Sequence, residues 1–296
     1  MEQTLKTTEI EAPASSQFHF RYRAYSPVGP ARALVVYLPQ YGAKLDAWET
    51  SSLPQRLAPH GIVSVVGLPV PEGTGFMTDD SLQALHALLL DAVERFQTPP
   101  DKLVIGGFSA GGVGAVRYGE VAVQGSLTGA FRPRALFAVD PPLDLRRWYR
   151  GLQLIVQRNH PTIALDEAKQ VIQALHYILG GSPDEVPEAY LQASAVTAFA
   201  EQGGNLKYLR DIPIRLYTEP DVLFFLKEYL TDLYSLNSLD VVFAINELRS
   251  MGNQAAELII TSGKGYRPDL GGMRMPHAWS IVDEPDLASW IEQKIA

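Results

Sequence analysis

A chain of 296 residues with 46% hydrophobic and 20% charged residues can build one large core, and α/β folds of this length often close around a single sheet. A net charge of −8 argues against a nucleic-acid or anionic-membrane partner, either of which calls for a basic face. There is no cysteine, which excludes disulfides, thiolate nucleophiles and thiolate metal ligands.

Residues 1–17 are polar, lack the apolar stretch of a signal peptide and read as a loose N-terminal tail. The longest apolar runs fall far short of a membrane span. The expectation is therefore a cytoplasmic protein without membrane insertion, acting on a small-molecule substrate, with a homo-oligomer left open. Residues 18–25 (FHFRYRAY) alternate at period two, the mark of a half-exposed, edge-type strand. Continuous apolar runs follow at 33–38 (ALVVYL), 62–68 (IVSVVGL), 103–108 (LVIGGF) and 135–139 (ALFAV), as in strands buried on both faces of a parallel sheet. Leu82, Leu85, Leu89, Val93 and Phe96 recur at helical spacing and predict a helix over 81–97, with Asp79, Asp80 and Ser81 as cap candidates and Pro99-Pro100 as its stop. Strand, helix, strand repeated in this way specifies a mostly parallel, doubly wound sheet.

The alternation stops between Pro141 and Leu209. There, 164–179 and 187–201 read as helices, with Gly180-Gly181-Ser182-Pro183 between them. Strands resume at 212–217 (IPIRLY) and 257–261 (ELIIT), and a last helix is predicted over 285–295. The chain thus divides into an α/β core, 18–143 and 210–296, and a small helical cap, 144–209, inserted over the sheet's C-terminal edge. That edge is where open α/β sheets place ligands.

The run Gly107-Phe108-Ser109-Ala110-Gly111 has the form G-x-S-x-G, in which a Ser stands on a tight strand-to-helix turn and flanking side chains would collide. The five residues alone are weak evidence, but LVIGGF precedes them as a buried strand and AGGVGAVRYGEVAV follows as a helix. A glycine-rich turn whose Ser only caps the helix is the bland alternative. A dinucleotide-binding loop fits less well, because GGFSAGGVG does not give G-x-G-x-x-G. A Ser nucleophile needs a base, and the base needs an orienting carboxylate. The chain offers six His: His19, His60 and His86 precede Ser109, His160 and His176 fall in the proposed cap, and His277 lies in a loop before the last helix. Late carboxylates near strand ends are Glu219 and Asp221 in IPIRLYTEPDV, while Asp140 before Pro141-Pro142 reads as a turn residue.

These features together resemble the α/β-hydrolase superfamily, especially its esterase-like members. The resemblance rests on Tyr41-Gly42 with Trp48 downstream, on Gly107 to Gly111, on Tyr217 to Asp221 and on Pro276-His277-Ala278-Trp279, and it spans residues 18–296. Glu188 to Ser194 is also similar to the stretch joining cap and core in peptidase-like esterases. The resemblance implies the chain order Ser, acid, His, with the acid after the penultimate strand. It casts Ser109 as nucleophile, His277 as base and Asp221 as acid, with Glu219 the alternative. An oxyanion hole would use the backbone N–H of Ala110 and a second from the loop after ALVVYL. Pro39 has no N–H, which leaves Gln40 or Tyr41, with Gln40 favoured. Many members have His-Gly where this chain has Gln40-Tyr41-Gly42. The implied chemistry is hydrolysis of a small or medium carboxylic ester through an acyl-serine, without cofactor or metal. A peptidase or amidase on the same triad and a non-catalytic binding protein are the alternatives.

Overall fold

The computed structural model describes residues 5–14, 16–48, 51–69, 78–160, 163–268 and 271–296. Eight strands form one sheet: β1 (Lys6–Glu11), β2 (Phe20–Ser26), β3 (Ala33–Leu38), β4 (Ile62–Pro69), β5 (Leu103–Phe108), β6 (Ala135–Val139), β7 (Ile214–Thr218) and β8 (Ala256–Ile260). Their spatial order is β1-β2-β4-β3-β5-β6-β7-β8. β1 and β2 run antiparallel to their neighbours, and every pairing from β4 to β8 is parallel. The inner strands β3, β5, β6 and β7 are buried along their whole length, which is why they read as unbroken apolar runs.

The N-terminal segment corrects one expectation. Residues 6–11 are not tail but an edge strand, paired in register from Lys6↔Ser26 to Glu11↔Arg21. Its Thr7, Thr8 and Ile10 favour the extended backbone, and its charged residues suit an exposed edge. β2 consequently lies one place inside the sheet. Of the expected tail, residues 1–4 and 15 lie outside the described residues.

Helices cover both faces. α1 (Leu53–Leu57) and α9 (Glu284–Ile295) pack on one face through Leu53, Leu57, Leu287 and Ile291; α2 (Asp79–Phe96), α3 (Ala110–Gln124) and α8 (Ser238–Ser250) pack on the other through Leu85, Val116 and Ile245. The cap of α2 falls one residue before the three candidates: the Thr78 hydroxyl accepts from the Ser81 amide at 3.2 Å, and the Ser81 hydroxyl accepts in return from the Thr78 amide.

After β6 the chain leaves the sheet for α4 (Leu145–Arg158), α5 (Ile163–Leu179) and α6 (Pro187–Ala193), which bury Tyr149, Leu152, Leu175 and Tyr190 in a cluster of their own. The helix expected over 187–201 stops at Ala193, because Asn205 Nδ2 donates to the carbonyls of Leu191, Gln192 and Ser194 and closes its end. Another excursion follows β7: α7 (Val222–Tyr229) and then α8. The short strands β9 (Tyr266–Arg267) and β10 (Met273–Arg274) form a hairpin between β8 and α9. No helix among the described residues is long and apolar enough to cross a membrane.

Candidate active site

Ser109 stands one residue beyond β5, with φ 56° and ψ −122°. That backbone is costly for a side-chain-bearing residue and persists only where its surroundings impose it. The imposing contacts are glycine contacts. A Cβ on Gly107 would stand 2.6 Å from the Gly112 nitrogen, and one on Gly111 would stand 2.5 Å from the Pro39 carbonyl oxygen. The start of α3 is thus pressed both onto β5 and onto the loop that follows β3. Ala110 is the first residue of α3, so its N–H is among those that a helix leaves without an internal acceptor. Gln40 follows Pro39 in the loop after β3, half-buried, with its carbonyl accepting from the Ala43 amide at 3.1 Å.

Strand register brings a second residue to Ser109. Phe108 pairs with Val139, and the Ser109 amide donates to the Val139 carbonyl at 2.9 Å. The next residue along β6 is Asp140, which therefore lies beside Ser109 across the sheet edge. His277 closes the set. Its Nε2 is 3.0 Å from Ser109 Oγ and its Nδ1 is 2.7 Å from Asp140 Oδ2. The imidazole packs against Phe108, ring centroids 4.8 Å apart. A carboxylate can only accept, so the hydrogen-bond pattern assigns the imidazole proton to Nδ1 and leaves Nε2 free to accept from the Ser109 hydroxyl.

This placement corrects the expected acid. Asp221 does not meet His277: its Oδ1 accepts from the Phe224 amide at 3.0 Å, capping α7, and its Oδ2 accepts from Arg274 at 2.8 Å. Glu219 does not meet it either. The Glu219 carboxylate is buried and receives the Thr261 hydroxyl at 2.8 Å, the Lys264 amide at 2.9 Å, the Gly265 amide at 3.3 Å and the Arg274 guanidinium. Burial alone would raise its pKa, but these donors outweigh burial and hold it below the ordinary carboxylate value.

Asp140 has supports that the sequence reading missed. Its φ is 45°, a left-handed value that Asp tolerates better than most residues, and its amide donates to the Tyr217 carbonyl at 2.8 Å. Thr218 Oγ1 donates to Asp140 Oδ1 at 2.7 Å, and Asn237 Nδ2 donates to the Asp140 carbonyl at 3.0 Å. Thr218 has one hydroxyl proton, and the carboxylate takes it. Ser238 Oγ, 2.7 Å away, must then donate to Thr218, giving a chain of one polarity from Ser238 through Thr218 to Asp140. The sequence signal for this placement is an Asp directly at the end of a buried strand that neighbours the strand leading to Ser109. Of the other histidines, His176 bonds the Tyr149 hydroxyl at 2.7 Å within the α4–α5 pair, and His86 bonds the Tyr118 hydroxyl at 3.1 Å. Among the described residues no group of three or more His, Asp or Glu is placed to hold a metal ion.

No protein-family model matches the chain, and no curated protein sequence matches it. Solved structures do. The chain is similar to an S-formylglutathione hydrolase from Agrobacterium tumefaciens, with 13% identity over 99% of both chains and a TM-score of 0.59. It is similar to carboxyl esterase 2 of the mycorrhizal fungus Tuber melanosporum, with 14% identity over 100% of this chain and 88% of that one and a TM-score of 0.62. It is also similar to oligopeptidase B from Leishmania major, with 14% identity over 98% of this chain but 35% of that one and a TM-score of 0.54. At these identities the likeness speaks to architecture, and the architecture is the α/β-hydrolase fold.

Proposed function

We propose that the protein is a serine hydrolase that cleaves a small or medium carboxylic ester, with Ser109, His277 and Asp140 as its triad. The observation that carries this reading is the unbroken line from Ser109 Oγ through the His277 imidazole to Asp140, 3.0 Å and 2.7 Å long. In it, Ser109 Oγ attacks the ester carbonyl as its proton passes to His277 Nε2, and Asp140 holds the Nδ1–H and balances the imidazolium. In this reading the backbone N–H groups of Ala110 and Gln40 are the donors that stabilise the oxyanion. The imidazolium then protonates the departing alkoxide, and water, deprotonated by the same Nε2, releases the acid from the acyl-serine. Two of the structural relatives named above are a carboxyl esterase and an S-formylglutathione hydrolase by name, which supports hydrolytic chemistry of this kind. A peptidase could use the triad equally; of the acids that could bind a peptide terminus, Glu219 has its carboxylate committed to four donors, while those of the inserted helices stay available to that reading.

A fluorophosphonate probe should label Ser109 in the folded protein, and Ser109→Ala should abolish both labelling and turnover of short-chain aryl esters. An unlabelled Ser109 in protein that melts cooperatively would sink the reading. A parallel panel of aryl esters and aminoacyl amides separates esterase from peptidase.

A further inference from the structure

We propose that Glu219 is a positioning residue for His277, acting through Arg274 and Gly265. The inference rests on the triad reading above and adds to it what sets the height and angle of the imidazole.

Glu219 follows directly on β7, so it is held at the end of the sheet. All the donors to its carboxylate lie instead on the segment that runs from the end of β8 toward His277: Thr261, Lys264, Gly265 and Arg274. That segment is folded back on itself at Gly265. The Gly265 carbonyl accepts from Arg274 Nη1 at 2.6 Å and from the Met275 amide at 3.0 Å. A Cβ on Gly265 would lie 2.6 Å from the Pro276 Cα, so the residue that Glu219 grips is in backbone contact with the residue preceding His277. Arg274 is fixed from both sides: Phe224 and Tyr266 flank its guanidinium at 5.7 and 5.6 Å. One buried carboxylate thus ties the loop's beginning, its turn and its last arginine to the strand neighbouring Asp140.

An apolar side chain could fill this space without desolvating a charge. What the carboxylate adds is direction, four donors drawn to two oxygens. The imidazole must satisfy two short bonds at once, and a loop displacement of about 1 Å would break one of them.

The test compares Glu219→Gln and Arg274→Met with wild type on a short aryl ester, with rates expressed per Ser109 titrated by a fluorophosphonate. The expected result is a kcat lowered about ten- to hundredfold in each with KM within about threefold, since transition-state geometry is lost and substrate binding is not. The double variant should fall little below the worse single one, because both act through one network. Arg274→Met keeps an unbranched apolar side chain and removes only the charged fork, so it decides the matter if Glu219→Gln does not fold. A kcat within threefold of wild type in both variants, a loss confined to KM, or failure of both to fold would overturn the proposal. Ser109→Ala, with its rate expressed per folded protein because it has no Ser109 to titrate, separates the two readings. If it remains active the triad itself is wrong. If it is inactive while the other variants match wild type, only the role of Glu219 falls.

Discussion

Ser109 and Asp140 share an unusual backbone: both have positive φ, 56° and 45°, and both stand one residue past the ends of adjacent strands. Two strained residues side by side at a sheet edge mark a place where geometry has been favoured over stability. Ser109 was legible in the sequence because its requirements are local: glycines two residues to either side, a strand before and a helix after. His277 was legible by elimination once the fold was assumed. Asp140 was not, since chain order alone does not say which strand end faces the base, and the fold's usual preference pointed one strand further along, to Asp221. The two carboxylates should respond very differently. Asp140→Asn should lower kcat by about 10³- to 10⁴-fold through loss of the correct imidazole tautomer. Asp221→Ala should mainly weaken the start of α7, by about 1 kcal/mol. Steady-state kinetics and urea denaturation of the pair check this, and similar kcat values in the two variants would return Asp221 to candidacy.

Elements with a strong period were readable. α2 runs from Asp79 to Phe96 and α5 from Ile163 to Leu179, within two residues of expectation. β1 was not, because an exposed edge strand needs little apolar material and its pairing partner supplies the order. α3 contains a feature no periodicity reveals. Glu120 is fully buried, and one of its carboxylate oxygens has no hydrogen-bond partner. Burial pushes its pKa up from 4.5 to about 8, against the pull of Arg117 at 2.7 Å from the other oxygen. The folded chain then keeps a proton that the unfolded chain releases near 4.5, so stability should fall as pH rises from there to about 8. Glu120→Gln should flatten that slope in thermal melts taken across the window. Parallel curves for variant and wild type would show that Glu120 is ionised throughout.

At the scale of the whole molecule, a buried ion pair joins the inserted helices to the core. Asp144 caps α4 through the Arg147 amide at 3.0 Å, and the Arg147 guanidinium forks onto Asp240 of α8, Nη2 to Oδ2 at 2.7 Å. Asp240 also accepts from the Asp144 amide at 3.1 Å. α8 begins at Ser238, the first hydroxyl of the chain that ends on Asp140, so one helix contacts both the inserted helices and Asp140. Arg147→Met should cost about 3–5 kcal/mol in urea denaturation, because Asp240 is left buried without its cation. A loss below about 1 kcal/mol would mean that Asp240 takes up a proton or water in its place.

The amino-acid order was sufficient for whatever depends on neighbours along the chain. Buried strands, amphipathic helices and the tight turn at Ser109 are set by residues within a few positions of one another. Such features carry their period and their glycines openly. The third dimension decided what depends on strand order and register. Phe108 pairs with Val139, and that pairing places Asp140 rather than Asp221 beside Ser109. Glu219 and Asp221 both face Arg274 instead. Contacts between residues 109, 140 and 277 join positions up to 168 apart in the chain, and no local pattern records them.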